Sequence, residues 1–287
     1  MTMFFAGNRN TVFILSRMAG IVILLSFGVI ALAGPFFAPY DPKKTGIPFL
    51  HPSALHFFGT NDMGYDLFSE WIYAARTSLL IGVLSACLSV FVGGGVGIVG
   101  GYMRGWAGEA VSGLVDVFLL IPMLPLMVVT ASYLGPGYIN TIFVISLLCW
   151  CSTARAVIMK VHQLRKVPFL ETLRVLGFSK SKIIVSHIVP HVSDVIAAKF
   201  TTSVAAAMAS EAALSFIGLG DPSVLSWGGM IHYAFHRGGF SNALWAWFLP
   251  PGLSIGLCSL GFLLAGGGNM ASTDSAYIQK SIFTSRT

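Results

Sequence analysis

The feature that most constrains this chain is the length of its uncharged runs. Met18 to Tyr40, Thr77 to Met103 and Gly238 to Thr273 contain no Asp, Glu, Lys or Arg, and Val117 to Ala154 lacks His as well. About 20 mostly apolar residues suffice for a helix to cross a bilayer. In hydrocarbon the backbone must satisfy its own hydrogen bonds, so runs of this length fold as spanning helices. Six spans are expected: 18–40, 77–103, 110–133, 138–160, 193–218 and 244–271. Leu134-Gly-Pro-Gly137 separates the third from the fourth, because Gly-Pro-Gly favours a turn over a continuing helix. The fifth is less clean, holding Asp194, Lys199 and Glu211.

Composition agrees. Only 10% of the 287 residues are charged, against about 25% in a soluble domain, and the mean hydropathy is +0.79. So few charges cannot cover a soluble globule of 30.6 kDa. That excludes a soluble enzyme, a disordered chain and a nucleic-acid binder. The cysteines (Cys87, Cys149, Cys151, Cys258) lie in apolar stretches with no disulfide or zinc-ribbon spacing. Cys149 and Cys151 are i, i+2 in a helix, so their thiols face apart.

The first span has a rival reading. Ala31-Leu-Ala33 resembles a signal-peptidase site. The apolar run is longer than a signal core and Pro35 follows at once, which favours a retained helix. Orientation follows from the basic residues. With the N-terminus inside, twelve of the 17 Lys and Arg fall in cytoplasmic segments, seven of them between 153 and 191. The expected fold is an all-α polytopic membrane protein with six transmembrane helices and both termini cytoplasmic. Residues 1–76 form the first helix and an extracytoplasmic segment, 77–271 the core with a cytoplasmic loop at 161–191, and 272–287 a cytoplasmic tail.

The inner loop reads as two short helices. Pro168 can start the first and Glu171 suits its N-terminal dipole. Leu170, Leu173 and Leu176 recur at helical spacing as a stripe for docking, Gly177 joins the helices, and Ser179 caps the second, which Pro190 stops. A short amphipathic helix in the cytoplasm suits a partner's groove; a basic loop holding two spans apart is the plainer alternative.

Glu171, Gly177 and Pro190 stand at the separations of E-A-A-x3-G-x9-I-x-L-P, and the loop resembles the coupling loop of ABC-importer inner-membrane subunits. The resemblance narrows to the "C" subunits of the dipeptide/oligopeptide/nickel permeases. Phe37-Ala-Pro-Tyr-Asp-Pro42, Phe58-Gly-Thr-Asn-Asp-Met-Gly-Tyr-Asp66, Ala75-Arg-Thr-Ser-Leu79, Glu211-Ala-Ala-Leu-Ser-Phe-Ile-Gly-Leu-Gly220 and Ser226-Trp-Gly228 carry it in order. Thr172 and Leu173 replace Ala-Ala, His187 replaces Ile, and Tyr65 stands where Arg is usual.

The resemblance implies one N-terminal helix plus a five-helix core in the plasma (inner) membrane. It implies pairing with a homologous permease subunit, two ABC ATPase subunits on the cytoplasmic loops, and an extracytoplasmic solute-binding protein. Leu170, Glu171, Thr172, Leu173, Gly177, Phe178, His187 and Pro190 would couple the chain to the ATPase. The solute would be a di- or oligopeptide, with nickel or a metal chelate as the alternative. The chain has no Gly-Lys dipeptide, hence no G-x4-G-K-[ST] phosphate loop. No cofactor or catalytic residue is expected on it, with ATP and Mg held by the partner ATPases.

Charges inside spans default to functional hypotheses, which makes Asp116 and Glu211 candidates for the solute path. His232 and His236, at i, i+4, have the spacing of metal ligands but flank Tyr233 and Phe235 in what reads as an interfacial loop, so no metal site is assigned. Two other classes remain open. Tyr65-Asp66 and Gly218-Leu-Gly-Asp221 imitate the carboxylate pair of intramembrane aspartyl proteases, though neither falls at mid-membrane. A self-sufficient secondary carrier would show inverted repeats or a central ionisable cluster.

Overall fold

The computed structural model describes residues 3–266 and is helical almost throughout. The expected tail at 272–287 and the end of the sixth span lie outside the described residues. In chain order the helices are α1 (Met3–Phe37), α2 (Leu67–Tyr102), α3 (Trp106–Leu120), α4 (Met123–Leu134), α5 (Tyr138–Arg165), α6 (Pro168–Val175), α7 (Lys180–Ile183), α8 (Val189–Phe216), α9 (Trp227–His236) and α10 (Trp245–Gly266). Five helical stretches are long and apolar enough to cross a membrane, and six if α3 and α4 count as one broken span.

That break corrects the straight helix expected at 110–133. The chain bends by 88° between α3 and α4. Ile121 takes extended backbone with ψ 129°, as the residue before a proline does. Pro122 has no N–H to continue the ladder. Other boundaries move for local reasons. Helix α2 begins at Leu67, ten residues before the expected span, because Asp66 caps it: its carboxylate accepts from Ser69 N at 2.8 Å. Glu70 and Arg76, expected in an outer loop, are therefore in the first turns of α2. The segment expected as an interfacial loop is α9, started by the Ser226 hydroxyl, which accepts from Gly229 N at 3.1 Å.

Helices α2 and α5 pack closely along a stripe of small residues. A methyl group at Gly97 would stand 2.7 Å from Val157 Cβ, and one at Gly101 would stand 2.8 Å from Val161 Cβ. Gly93, one turn further out, meets Trp150 and Thr153 in the same way. Repeated small residues let helix backbones approach where lipid gives no hydrophobic drive for association. At the end away from the 161–191 loop α1, α2, α9 and α10 share a core around Phe27, Trp227, Met230 and Trp247. Trp227 is buried and pinned twice: its N–H donates to Ser78 Oγ at 3.0 Å and its indole to Trp71 O at 3.1 Å.

Candidate functional site

The 161–191 loop, expected on the cytoplasmic side, is built on the ends of α2 and α5. Arg165, closing α5, donates from Nη1 to Gly101 O at 3.0 Å and Met103 O at 2.9 Å. A cation at a helix C-terminus satisfies orphan carbonyls and complements the dipole. The chain then turns and α6 starts on Pro168, where a missing N–H costs nothing. Leu170 and Leu173 are buried against Tyr102, Val157, Val161, Ile183, Ile188 and Val192. The leucine stripe expected for docking thus docks, but on the chain's own spans. Among the residues facing away, Glu171, Val175 and Leu176 are exposed by 68%, 88% and 67%.

The bend at Gly177 has a mechanical reason. Its φ is +80°, a conformation that favours glycine. Phe178 N–H donates to Leu173 O at 3.1 Å, the six-to-one bond of a helix ending in a left-handed residue. Phe178 and Leu173 then share one apolar cluster. Ser179 caps α7, accepting from Lys182 N at 3.4 Å.

Pro190 does not stop this helix, contrary to the sequence expectation. The chain widens into a π-helical stretch at Ile184–Ile188, where Val189 N–H reaches back five residues to Ile184 O, and continues as α8. Proline at the second residue of α8 has lost an N–H that the wider turn no longer requires. His191 Nδ1 reaches His187 O at 2.6 Å, and the His187 ring meets Phe169 of α6 edge-on at 5.4 Å. The second loop helix and the fifth span are therefore one helical stretch, Lys180–Phe216. Thr172 bonds only back to Pro168 O, at 3.2 Å, on the exposed side of α6. Arg104 lies 3.8 Å from Glu171, with both side chains more than half exposed.

The two carboxylates proposed for a solute path are placed differently. Asp116 on α3 is half exposed and paired with Arg155 at 3.2 Å. Glu211 is buried to 1% between α2 and α8, where its carboxylate accepts from Ser215 at 2.8 Å and Ser78 at 3.4 Å. It ties helices together inside the subunit and forms no ion pair with Lys199. A cavity of about 410 Å³ lies instead where the α3–α4 bend faces α5 and α8, with Phe118, Met123, Cys149 and Thr202 in its wall. Lys199 is its one charged residue.

The outer polar residues are structural. Asp66 caps α2 and has His56 Nδ1 at 2.8 Å. Asp221 accepts from Tyr138 N at 3.0 Å at the start of α5 and from Ser223. Each aspartate is committed to local backbone, which suits anchors rather than a water-activating pair. The His232 and His236 rings lie 4.4 Å apart, tilted by 48°, and His232 Nδ1 is engaged by Phe216 O at 2.7 Å. Among the described residues no three His, Cys, Asp or Glu gather as for a metal. Spacing arguments missed Arg165, exposed Val175 and the cavity position of Lys199, and they placed Leu176 on one stripe with Leu170 and Leu173, although it is exposed where those two are buried. The first carried a signal, a basic residue in the last turn of a helix.

Two family patterns match the chain in tandem. Residues 16–53 match the N-terminal transmembrane domain of oligopeptide transport permease C. Residues 93–266 match the binding-protein-dependent transport system inner membrane component. Among curated relatives, a di/tripeptide transport system permease protein of Pseudomonas aeruginosa is 33% identical over 276 residues, covering 92% of this chain and 87% of that protein. A dipeptide transport system permease protein of Alkalihalophilus pseudofirmus is 32% identical, covering 87% and 82%. The oligopeptide transport system permease protein of Bacillus subtilis is 31% identical, covering 88% and 82%. The spans, the rooted loop and these matches agree: the chain belongs to the inner-membrane components of binding-protein-dependent ABC transport systems, as a non-catalytic, multi-pass permease subunit.

Proposed function

We propose that this permease carries di- or oligopeptides, pairs with a homologous permease subunit, and is driven by two ABC ATPases that seat on its 161–191 loop. The carrying observation is the loop's construction. Its bend is fixed by Gly177 and its root by buried Leu170 and Leu173, while Val175 and Leu176 are exposed and Glu171 is exposed apart from its ion pair with Arg104. An apolar pair beside a carboxylate on a short helix is suited to a partner's groove, with the carboxylate as ion-pair anchor. The distribution of Lys and Arg supports a cytoplasmic side for the basic loop, and for both termini with it. ATP and Mg belong to the partner ATPases, and the binding protein delivers solute from outside.

In this mechanism, closure of the ATPase pair pushes on α6. The push passes through Leu170 and Leu173 into α5, and through the unbroken stretch Lys180–Phe216 into the fifth span. Peptide rather than nickel is favoured by the peptide systems named for the relatives at about a third identity.

The experiment is ATP-driven dipeptide uptake by the assembled importer. Glu171→Ala is expected to lower uptake by about tenfold or more, since removing one partner of a buried interfacial charge pair costs ~2–5 kcal/mol. The same change should alter the free chain's stability by less than ~1 kcal/mol, because its pair with Arg104 is exposed. Gly177→Val puts a β-branched residue at φ +80° and should lower uptake and ATPase association while insertion stays intact. Unchanged uptake in both variants would overturn the coupling role.

A further inference from the structure

The cavity between the α3–α4 bend, α5 and α8 holds a cation that no carboxylate among the described residues answers. Lys199 sits on α8 within a span, and none of the ion pairs among the described residues involves it. A lysine at membrane depth is costly and persists where it faces a partner or a water-filled space. Its surroundings are mainly apolar, with Phe118, Met123, Leu148 and Cys149 among them. Two hydroxyls of the wall are already used as donors: Ser152 gives its proton to Cys149 O at 3.3 Å, and Thr202 to Lys199 O at 3.0 Å. An anion entering here therefore meets the Lys199 ammonium ahead of those hydroxyls.

The break that creates this space is the same one that kinks the third span. Ile121 and Met123, flanking Pro122, both line the cavity. The volume of about 410 Å³ is that of a small-molecule site, enough for a short peptide's terminal residue. Asp116 and Arg155 already neutralise each other, and Glu211 is enclosed among serines. Of the three span charges Asp116, Glu211 and Lys199, the lysine is the one that lines the cavity.

We propose that this cavity is a solute subsite and that Lys199 receives a carboxylate of the solute in transit, the C-terminal carboxylate of a peptide being the fitting group. The inference rests on the reading of the chain as a peptide permease. It makes Lys199 a specificity residue and gives the α3–α4 bend a function. The ammonium serves as a fixed donor that replaces water around the carboxylate while the solute is inside the bilayer. The apolar wall accommodates side chains of many shapes, so the site reads the terminus and tolerates the rest.

The test uses the full importer, with its partner subunits and binding protein, in proteoliposomes supplied with dialanine and ATP. Lys199→Met, close in volume and uncharged, is expected to lower dialanine uptake by about tenfold or more, the worth of a charge-assisted hydrogen bond. Lys199→Arg should keep most of it. Thr202→Glu is the second probe: residue 202 is exposed and one turn from Lys199. It should pair with the ammonium and reduce uptake as Lys199→Met does. Normal uptake in Lys199→Met or in Thr202→Glu would overturn the assignment, as would an equal loss in Lys199→Arg, which would point to volume rather than charge. Failure of the underlying reading looks different: the unmodified importer would then move no dialanine with ATP at all.

Discussion

The two polar segments between spans are built in opposite ways. On the side proposed as outer, residues 38–66 are held by side chains that bond to backbone. Thr60 Oγ1 accepts from Leu50 N at 2.9 Å and donates to Ile47 O at 2.6 Å, and the Asn61 carbonyl accepts from Met63 N and Tyr65 N, each at 2.9 Å. Asn61 also donates to Glu70 at 3.1 Å, and Arg237 reaches Asp62 at 3.5 Å, which fastens the segment to the rest of the chain. On the side proposed as inner, residues 161–191 rest on an apolar cluster that includes Leu170, Leu173, Phe178 and Ile183, with one capping arginine and an exposed ion pair. A segment whose shape is complete by itself needs many internal bonds. In the proposed mechanism residues 161–191 accept force from another protein, and that suits a segment whose root is apolar and whose Val175 and Leu176 are exposed. On that reading the moving contact belongs to this segment.

The comparison breaks first at the root. Leu173→Ala empties part of the cluster under α6, and a buried Leu→Ala change costs ~2–5 kcal/mol. The expected outcome is a loop that still carries Glu171 and Gly177 but transmits poorly: ATP hydrolysis continues while solute moved per ATP falls several-fold. Uptake and hydrolysis measured side by side check this. A normal ratio would mean that the loop does not couple through its leucine root.

An outer change should do the reverse. Asp66→Ala removes the cap of α2, worth ~0.5–2 kcal/mol, and the contact with His56. Thermal stability of the purified chain should fall while the ratio of solute to ATP holds. Asp66→Asn keeps a capping oxygen and should restore most of the stability. A coupling defect in Asp66→Ala would erase the distinction between the two segments.

How much of this was legible in the sequence depends on the range of the forces involved. Hydrocarbon thickness imposes a long uncharged run, so the spans are visible without any contact being known. Pro168, Gly177 and Ser179 act on their own backbone, so the inner loop's two helices could be read residue by residue. Pro122 was equally local and was passed over, because an uninterrupted apolar run masked a backbone break. Pro190 misled for the converse reason: proline stops a regular α-helix, but a π-helical turn removes the conflict. The facing of Leu170 and Leu173 was hidden, since helical spacing marks a stripe without saying whether it meets the chain's own spans or a partner. Asp116, Lys199 and Glu211 look alike as charges within spans. Only tertiary packing separates the ion-paired, the cavity-facing and the serine-bound.

The smallest effect concerns Asp221, which sharpens what an outer anchor does. Burial opposes its ionisation, but the Ser223 hydroxyl, the Ser223 N–H and the Tyr138 N–H outweigh it and hold the carboxyl below the usual carboxylate range. A carboxylate whose folded pKa is depressed adds stability above its ordinary value, and that stability is lost as the pH falls through the folded one. Neutral pH therefore keeps the tie between the turn at 221–223 and the start of α5, and acid below about pH 4 loosens it. Protection of the Tyr138 amide against hydrogen exchange, corrected for the intrinsic rate, should drop in that acid range and stay level between pH 5 and pH 7 (roughly the span over which a carboxylate with an ordinary or lowered value stays ionised). Asp221→Asn retains an accepting oxygen without a titratable proton, so its protection should be flat with pH. The anchor is solvent-exposed, so the change should be confined to the first turn of α5 and leave the inner loop's exchange untouched. A matching acid-dependent change at Leu173 or Phe178 would show that the two ends are mechanically linked, and the contrast between a self-sufficient outer segment and a partner-driven inner one would have to be abandoned.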